Sequence, residues 1–440
     1  MRLLIALALT AHVACAHAQG DAAPPVVFEN VTVVPVDAER ALPDHTVVVR
    51  GDRIVAVGPS GEIEVPGGAE VVDGEGKWLV PGLAEMHGHV PPPTAPPALT
   101  EETLFLYLSN GITTVRGMLG AEGQLDLKRL ANAGEILSPT LYLAGPSFNG
   151  NSVASPEEAA AMARQQAAEG WDLFKVHPGL TRPEYDALAE TANELGVRFG
   201  GHVPADVGVE HALAMGQETF DHVDGYAAAL GGIAGPVDEA ELAALVEATR
   251  EAGAAIVPTM ALWEVLYGAI PLDTLRAYPE LAYVSLAQRE AWADRVVQTL
   301  AADDHDADAV RTLMANRGRI LRALHEGGAT ILLGTDAPQL FSVPGFSLHR
   351  ELPRMEAAGM TPYEILRSGT ALAGEHFANE DTFGLVAPGH RADLVLLDAD
   401  PLAHASHLAE IEGVMVRGRW VPRAEIDARL DAIRSAYAGE

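Results

Sequence analysis

The sequence predicts an α/β protein: a (β/α)8 barrel of the TIM type, accompanied by a small β-sandwich domain built from both terminal segments. Three observations carry that reading. Apolar runs of strand length alternate with stretches of helical period across residues 83–335. Short period-two runs separated by tight turns stand at both ends of the chain. Histidines, a lysine and an aspartate recur where the central apolar runs end, which is the face on which barrels of this type carry their chemistry.

At the amino-terminal end, residues 47–50 and 53–57 flank Gly51-Asp52, a good two-residue hairpin. At the other end, residues 393–397 read as a strand, and residues 414–417 and 420–421 bracket a turn at Gly418. Residues 19–80 and 384–440 therefore form the two halves of the expected sandwich, the second ending in a tail, with the barrel over 81–383. Barrel strands are expected at 83–87, 113–116, 140–144, 173–176, 198–202, 219–222, 255–259 and 330–335. Helices are expected at 101–110, 156–169, 182–195, 239–252 and 310–326. A doubly wound open sheet is the alternative, but no glycine-rich phosphate fingerprint follows the early strands. Residues 260–305 exceed a normal connection and read as extra helical structure beside the strand ends.

The chain has 440 residues, with 61 acidic against 29 basic side chains and a formal charge of −32. That balance argues against nucleic acid or an anionic membrane surface as partner and reads as a solvated acidic surface; the partner expected is a small-molecule substrate. A homo-oligomer is compatible with it. Residues 1–18 have the form of a secretory signal: Arg2, a short apolar run, and Ala16-His17-Ala18 as a small-x-small cleavage site. No segment reaches the 18 or so apolar residues of a membrane span. Cys15 is the only cysteine. Lipid attachment there is the lesser alternative, and cleavage after Ala18 leaves a chain with no thiol chemistry. Export without disulfides points to a bacterial periplasm.

The ends of the central strands carry the chemistry. His87 and His89, two residues apart at a strand end, can grip one cation. Lys175 closes Leu173-Phe174-Lys175, His202 follows Phe199-Gly200-Gly201, His222 follows Thr219-Phe220-Asp221, and Asp336 follows Gly334-Thr335. Any one of these has a plain structural explanation, but six at strand ends point to one axial metal site. Gly-x-Ser-x-Gly is absent, so an acyl-serine route has no support.

Three motifs make the pattern specific: Leu79-Val80-Pro81-Gly82-Leu83 leading into His87-x-His89, Gly334-Thr335-Asp336, and Gly384-x-x-x-Pro388-Gly389-x-x-Ala392-Asp393-Leu394. With them the chain resembles the amidohydrolase superfamily, in its imidazolonepropionase-related branch and near the binuclear prolidase-like metallocarboxypeptidases. The resemblance implies two divalent ions, zinc by expectation. His87, His89 and Asp336 would hold one, His202 and His222 the other, and carboxylated Lys175 would bridge them. It implies hydrolysis of a C–N bond in a dipeptide or N-acyl amino acid by a metal-bridging hydroxide, with Asp336 as general base and acid. Tyr226 and His177 would contact the substrate, and the polar loop 147–152 is a further candidate. Two departures from the branch stand out. Glu85 replaces an aspartate ahead of the first metal histidine, and Asp221-His222-Val223 replaces Glu-His-Gly; both bear on how the ligands are oriented. The alternatives are a mononuclear cyclic-amide hydrolase, an ester, lactone or phosphotriester hydrolase, and a periplasmic protein that only binds metal or ligand.

Overall fold

The structure is a computed structural model that describes residues 24–303 and 305–439. The proposed signal and Cys15 lie outside the described residues. The strands are β1 (Val26–Val33), β2 (Leu42–Arg50), β3 (Arg53–Pro59), β4 (Glu70–Asp73), β5 (Trp78–Pro81), β6 (Leu83–Gly88), β7 (Ile112–Gly117) and β8 (Thr140–Leu143). They continue as β9 (Leu173–Val176), β10 (Arg198–Gly201), β11 (Thr219–Asp221), β12 (Ala255–Val257), β13 (Thr330–Ile331), β14 (Leu394–Leu397), β15 (Ile411–Val416) and β16 (Arg419–Pro422).

Both chain ends contribute to one sheet, in the order β16-β15-β14-β5-β1-β2-β3 with β4 on β1. The expected sandwich is thus one continuously hydrogen-bonded sheet rather than two separate ones. Its seam is the antiparallel pairing of β5 with β14, in which Val80 faces Val395. Valine-rich faces of β1 and β2 meet Leu79, Leu394 and Met415 in a small core of their own, as expected for half-buried strands. Only Gly82 separates β5 from β6, so the chain passes from this sheet straight into the central strands. A Cβ there would lie 2.2 Å from Thr113 Oγ1, and only glycine fits.

The eight central strands are all parallel, β6-β7-β8 in one sheet and β9 to β13 in another. Gly145 N donates to Leu173 O and Asp172 N to Leu143 O along one junction between the two. Met86 N donates to Leu333 O and Asp336 N to His87 O along the other. The strands are buried on both sides, which is why they read as plain apolar runs.

Helices Pro156–Glu169, Arg182–Leu195 and Glu239–Ala252 fall at their expected bounds. Each has a Ser, Thr or Asp at its start and a left-handed glycine at its end, the strongest punctuation a helix carries. Residues 260–305 do form helical structure, principally Met260–Leu266 and Leu286–Leu300. The tail after β16 is in fact a helix, Arg423–Tyr437, whose buried Ile426, Leu430 and Ile433 explain its stability.

Candidate metal centre

The strand ends bring the six predicted ligands together. His87 sits in β6 and His89 one residue past it; His89 Nε2 lies 2.6 Å from Asp336 Oδ1, and His87 Nε2 lies 3.4 Å from the same oxygen. One ligand atom from each of these three falls within 4.8 Å of the others. On the far side the His222 ring centroid is 4.6 Å from that of His87 and 4.5 Å from that of His202. His222 Nε2 is 3.7 Å from Asp336 Oδ2. Lys175 is fully buried between the two groups, its Nζ 3.4 Å from His87 Nε2 and 3.3 Å from Asp221 Oδ2. Gly201 in β10 makes room for it: a Cβ there would lie 2.9 Å from Lys175 Cδ.

Two of the histidines are fixed by their other nitrogen: Nδ1 of His202 is 2.6 Å from Asp224 Oδ2, and Nδ1 of His222 is 2.6 Å from Thr259 Oγ1. Nδ1 of His87 lies 2.8 Å from Asp221 Oδ2, a charge contact without hydrogen-bond geometry. This leaves the Nε2 atoms for a ligand. Nε2 of His222 is buried and has no hydrogen-bond partner, an unsatisfied acceptor of the kind a cation satisfies. His222 and Asp336 hold left-handed backbone, with φ of 66° and 64°, strain that turns both side chains inward at the strand ends.

Electrostatics favour ligation. Burial lowers the pKa of His87 to about 4, and burial with neighbouring His202 and His87 holds His222 well below its usual value. Both are neutral at pH 7, the form that binds metal. Burial opposes the charge on Asp336, yet His87, His89 and His222 keep its carboxyl well below the usual range. Burial also lowers the Lys175 pKa, against the pull of Asp221 and Asp336. Arg116, itself fully buried, lies 3.4 Å from Asp221 Oδ1 and helps hold that carboxylate ionised.

Sequence reasoning noted Asp221 and Glu85 only as departures; the structure gives each a task. Glu85 is completely buried and accepts from His87 N, Thr335 N and Thr335 Oγ1 at 3.1, 2.7 and 2.6 Å. It thereby ties the strand carrying His87 to the segment carrying Asp336, while burial pushes its pKa up to about 8. Asp224 and Thr259 were missed, because nothing local marks a residue whose partner is distant in sequence.

A cavity of about 660 Å³ opens over the cluster, bounded by His87, His89, His177, His202 and Asp336 together with apolar Pro91, Leu119, Trp263 and Leu266. Lys175 and His222 lie beneath it. His177 reaches the cavity, 5.0 Å from His202 between ring centroids, and burial with nearby Lys175 lowers its pKa to about 2. His177 is therefore neutral at pH 7, a hydrogen-bonding group in the cavity wall rather than a cation. Tyr226 does not reach the cavity, contrary to expectation. The positive φ of His222 and Val223 turns the chain inward, and the buried Tyr226 hydroxyl bonds Thr249 Oγ1 at 2.6 Å. The 147–152 loop is also closed on itself: Ser152 Oγ donates to Ser147 O, and Asn149 Oδ1 accepts from Asn151 N and Ser152 N.

The chain as a whole is similar to known proteins. The chain is 26% identical over 425 residues to an adenine deaminase of Rubrobacter xylanophilus, covering 93% of this chain and 60% of that one. It therefore spans well under two thirds of that relative's length. It is also 26% identical to an imidazolonepropionase of Streptomyces griseus over 83% of this chain and 88% of the relative. Among solved structures, a provisional prolidase from Bifidobacterium longum superposes with a TM-score of 0.72 at 25% identity, covering 94% of this chain and 99% of its own. The Amidohydrolase family model matches residues 78–421, and this chain belongs to that family.

Proposed function

We propose that the chain hydrolyses a C–N amide bond of a dipeptide or N-acyl amino acid at a binuclear centre, expected to hold zinc. The two junctions between the central sheets are read as closing one eight-stranded barrel around it. His87, His89 and Asp336 hold one ion, and His202 and His222 the other, with Lys175 between them. When bound, such ions lower the pKa of water and polarise the scissile carbonyl.

The observation that carries the binuclear reading is the position of Lys175. Lys175 is buried with its Nζ 3.4 Å from His87 Nε2 and 3.3 Å from Asp221 Oδ2, the place a ligand shared by two ions requires. A protonated lysine would be repelled by the ions, whereas the neutral amine adds carbon dioxide. A nitrogen–carbon bond forms, a proton leaves, and the carbamate supplies anionic oxygens to both sides.

Asp336 accepts the proton of the attacking water and delivers it to the leaving nitrogen. Glu85, through Thr335 and the His87 amide, holds Asp336 and His87 at a fixed spacing. Asp224 and Thr259 keep their imidazoles in register, and Asp221 places its charge beside that of His87. His177 offers a hydrogen bond at the cavity wall, and Trp263 and Leu266 exclude water.

Elemental analysis of protein purified without chelator tests the centre: roughly two equivalents per chain are expected, and one equivalent at full activity overturns it. A screen of N-acyl amino acids and dipeptides tests the reaction. Adenine belongs in that screen, because the similarity to a deaminase covers 93% of the chain and makes hydrolytic deamination the second reading. Ammonia release from adenine with no amide turnover would select it. Export to the periplasm after removal of residues 1–18 is a separate proposal, tested by fractionation and amino-terminal sequencing.

A further inference from the structure

A second cavity, of about 250 Å³, adjoins the first. Pro91, Pro338 and Gln339 bound both, so the two share a wall. Its other sides come from four places: helix Pro97–Ser109, the 283–292 part of the long insertion, the loop after Asp336, and Tyr437 at the end of the last helix. Leu106, Trp292 and Val343 give it an apolar floor, and Trp292 is set by Phe341 at 5.7 Å between ring centroids. No lysine, arginine or histidine borders it, and its one charged neighbour is Glu102, engaged by the Tyr437 hydroxyl at 2.5 Å. A carboxylate has nothing to pair with there; an uncharged aryl or branched alkyl group does.

The wall is also tied to the segment of Asp336, because Gln339 Nε2 donates to Asp336 O at 3.1 Å, and Asp336 itself lines the first cavity. The group nearest Asp336 in the proposed reaction is the leaving nitrogen.

We propose that this second cavity is a specificity subsite that receives a bulky apolar side chain on the leaving-amine half of the substrate, the α-carboxylate staying in the first cavity. The proposal rests on the amide-hydrolase reading and narrows it to N-acyl derivatives of amino acids such as phenylalanine or leucine. It also gives the 260–305 insertion a task, as the outer wall of a substrate pocket.

The test compares three substrates with metal-loaded enzyme: N-acetyl-L-phenylalanine, N-acetylglycine and N-phenylacetylglycine. Val284→Trp and Leu99→Trp each fill the cavity from a different element. The expected kcat/KM for N-acetyl-L-phenylalanine exceeds that for either of the others by about tenfold or more, the scale of a filled apolar pocket. Both tryptophan variants, checked for native circular dichroism, bring that ratio toward one. A preference for N-phenylacetylglycine, or a ratio untouched by either folded variant, overturns the proposal. Calorimetry with L-phenylalanine separates this from the reaction itself. Binding that weakens about tenfold in the variants while no amide is cleaved upholds the subsite and refutes the amide reaction. Binding indifferent to both variants refutes the subsite whatever the reaction.

Discussion

Oδ2 of Asp221 lies 2.8 Å from Nδ1 of His87 and 3.3 Å from Nζ of Lys175, so one carboxylate places its charge beside two candidate ligands. Arg116 and Thr219 stand behind it, the guanidinium 2.8 Å from Thr219 Oγ1. Asp221→Asn removes the charge beside the imidazole and leaves Arg116 without its counter-ion. Metal affinity is expected to fall about 10–100-fold, read by competition with a chelator, and the melting temperature to fall with it. Unchanged affinity would make Asp221 a structural residue alone.

Asp336→Asn keeps size and one coordinating oxygen but removes the base. An amide with a poor leaving group is expected to lose kcat by about 10²–10⁴-fold, while an activated ester, whose leaving group needs no proton, loses less. Equal losses on both would indicate damage to the metal centre, and metal analysis of the variant reads that directly.

Lys175→Ala is expected to lose most activity and at least one metal equivalent. Acetate or propionate added in solution should restore part of it by placing a carboxylate where the carbamate stood. A variant that retains both ions without rescue removes the lysine from the bridge.

Tyr226→Phe tests the one substrate contact that the fold moved elsewhere. Thr249 Oγ1 donates to Leu245 O at 2.7 Å, so the tyrosine hydroxyl is the donor to Thr249. Losing it costs about 0.5–1.5 kcal/mol of stability, seen in denaturant unfolding. kcat/KM for the best amide is expected to stay at the wild-type value; a clear rise in KM would return Tyr226 to the site.

The candidate ligands were legible because strand ends are: an apolar run interrupted by a charged or imidazole side chain marks both an element and its mouth. Lys175 and Asp336 are seen this way even without a structure. What escaped was everything set by contact between distant segments. Asp224 reaches His202 and Thr259 reaches His222 only because three parallel strands, β10, β11 and β12, lie side by side. Helix Gln124–Asn132 escaped for a local reason: it starts after Gly123, without a side-chain cap, and so lacked a start signal. Tyr226 shows the limit of spacing arguments, since two left-handed residues at His222 and Val223 redirect all that follows.

The pairing of Val80 with Val395 joins the two ends of the chain across the whole of the central strands. Contacts between residues so far apart form late, after the intervening segments have ordered. Until the carboxy-terminal strands are complete, β5 keeps one bare row of backbone donors and acceptors, an invitation to pair with a neighbouring molecule. A chain cut short before Leu394 retains all six candidate ligands, yet it is expected to be lost to aggregation during folding before it could show a catalytic defect. The closing strands thus serve the enzyme first as a guard against self-association.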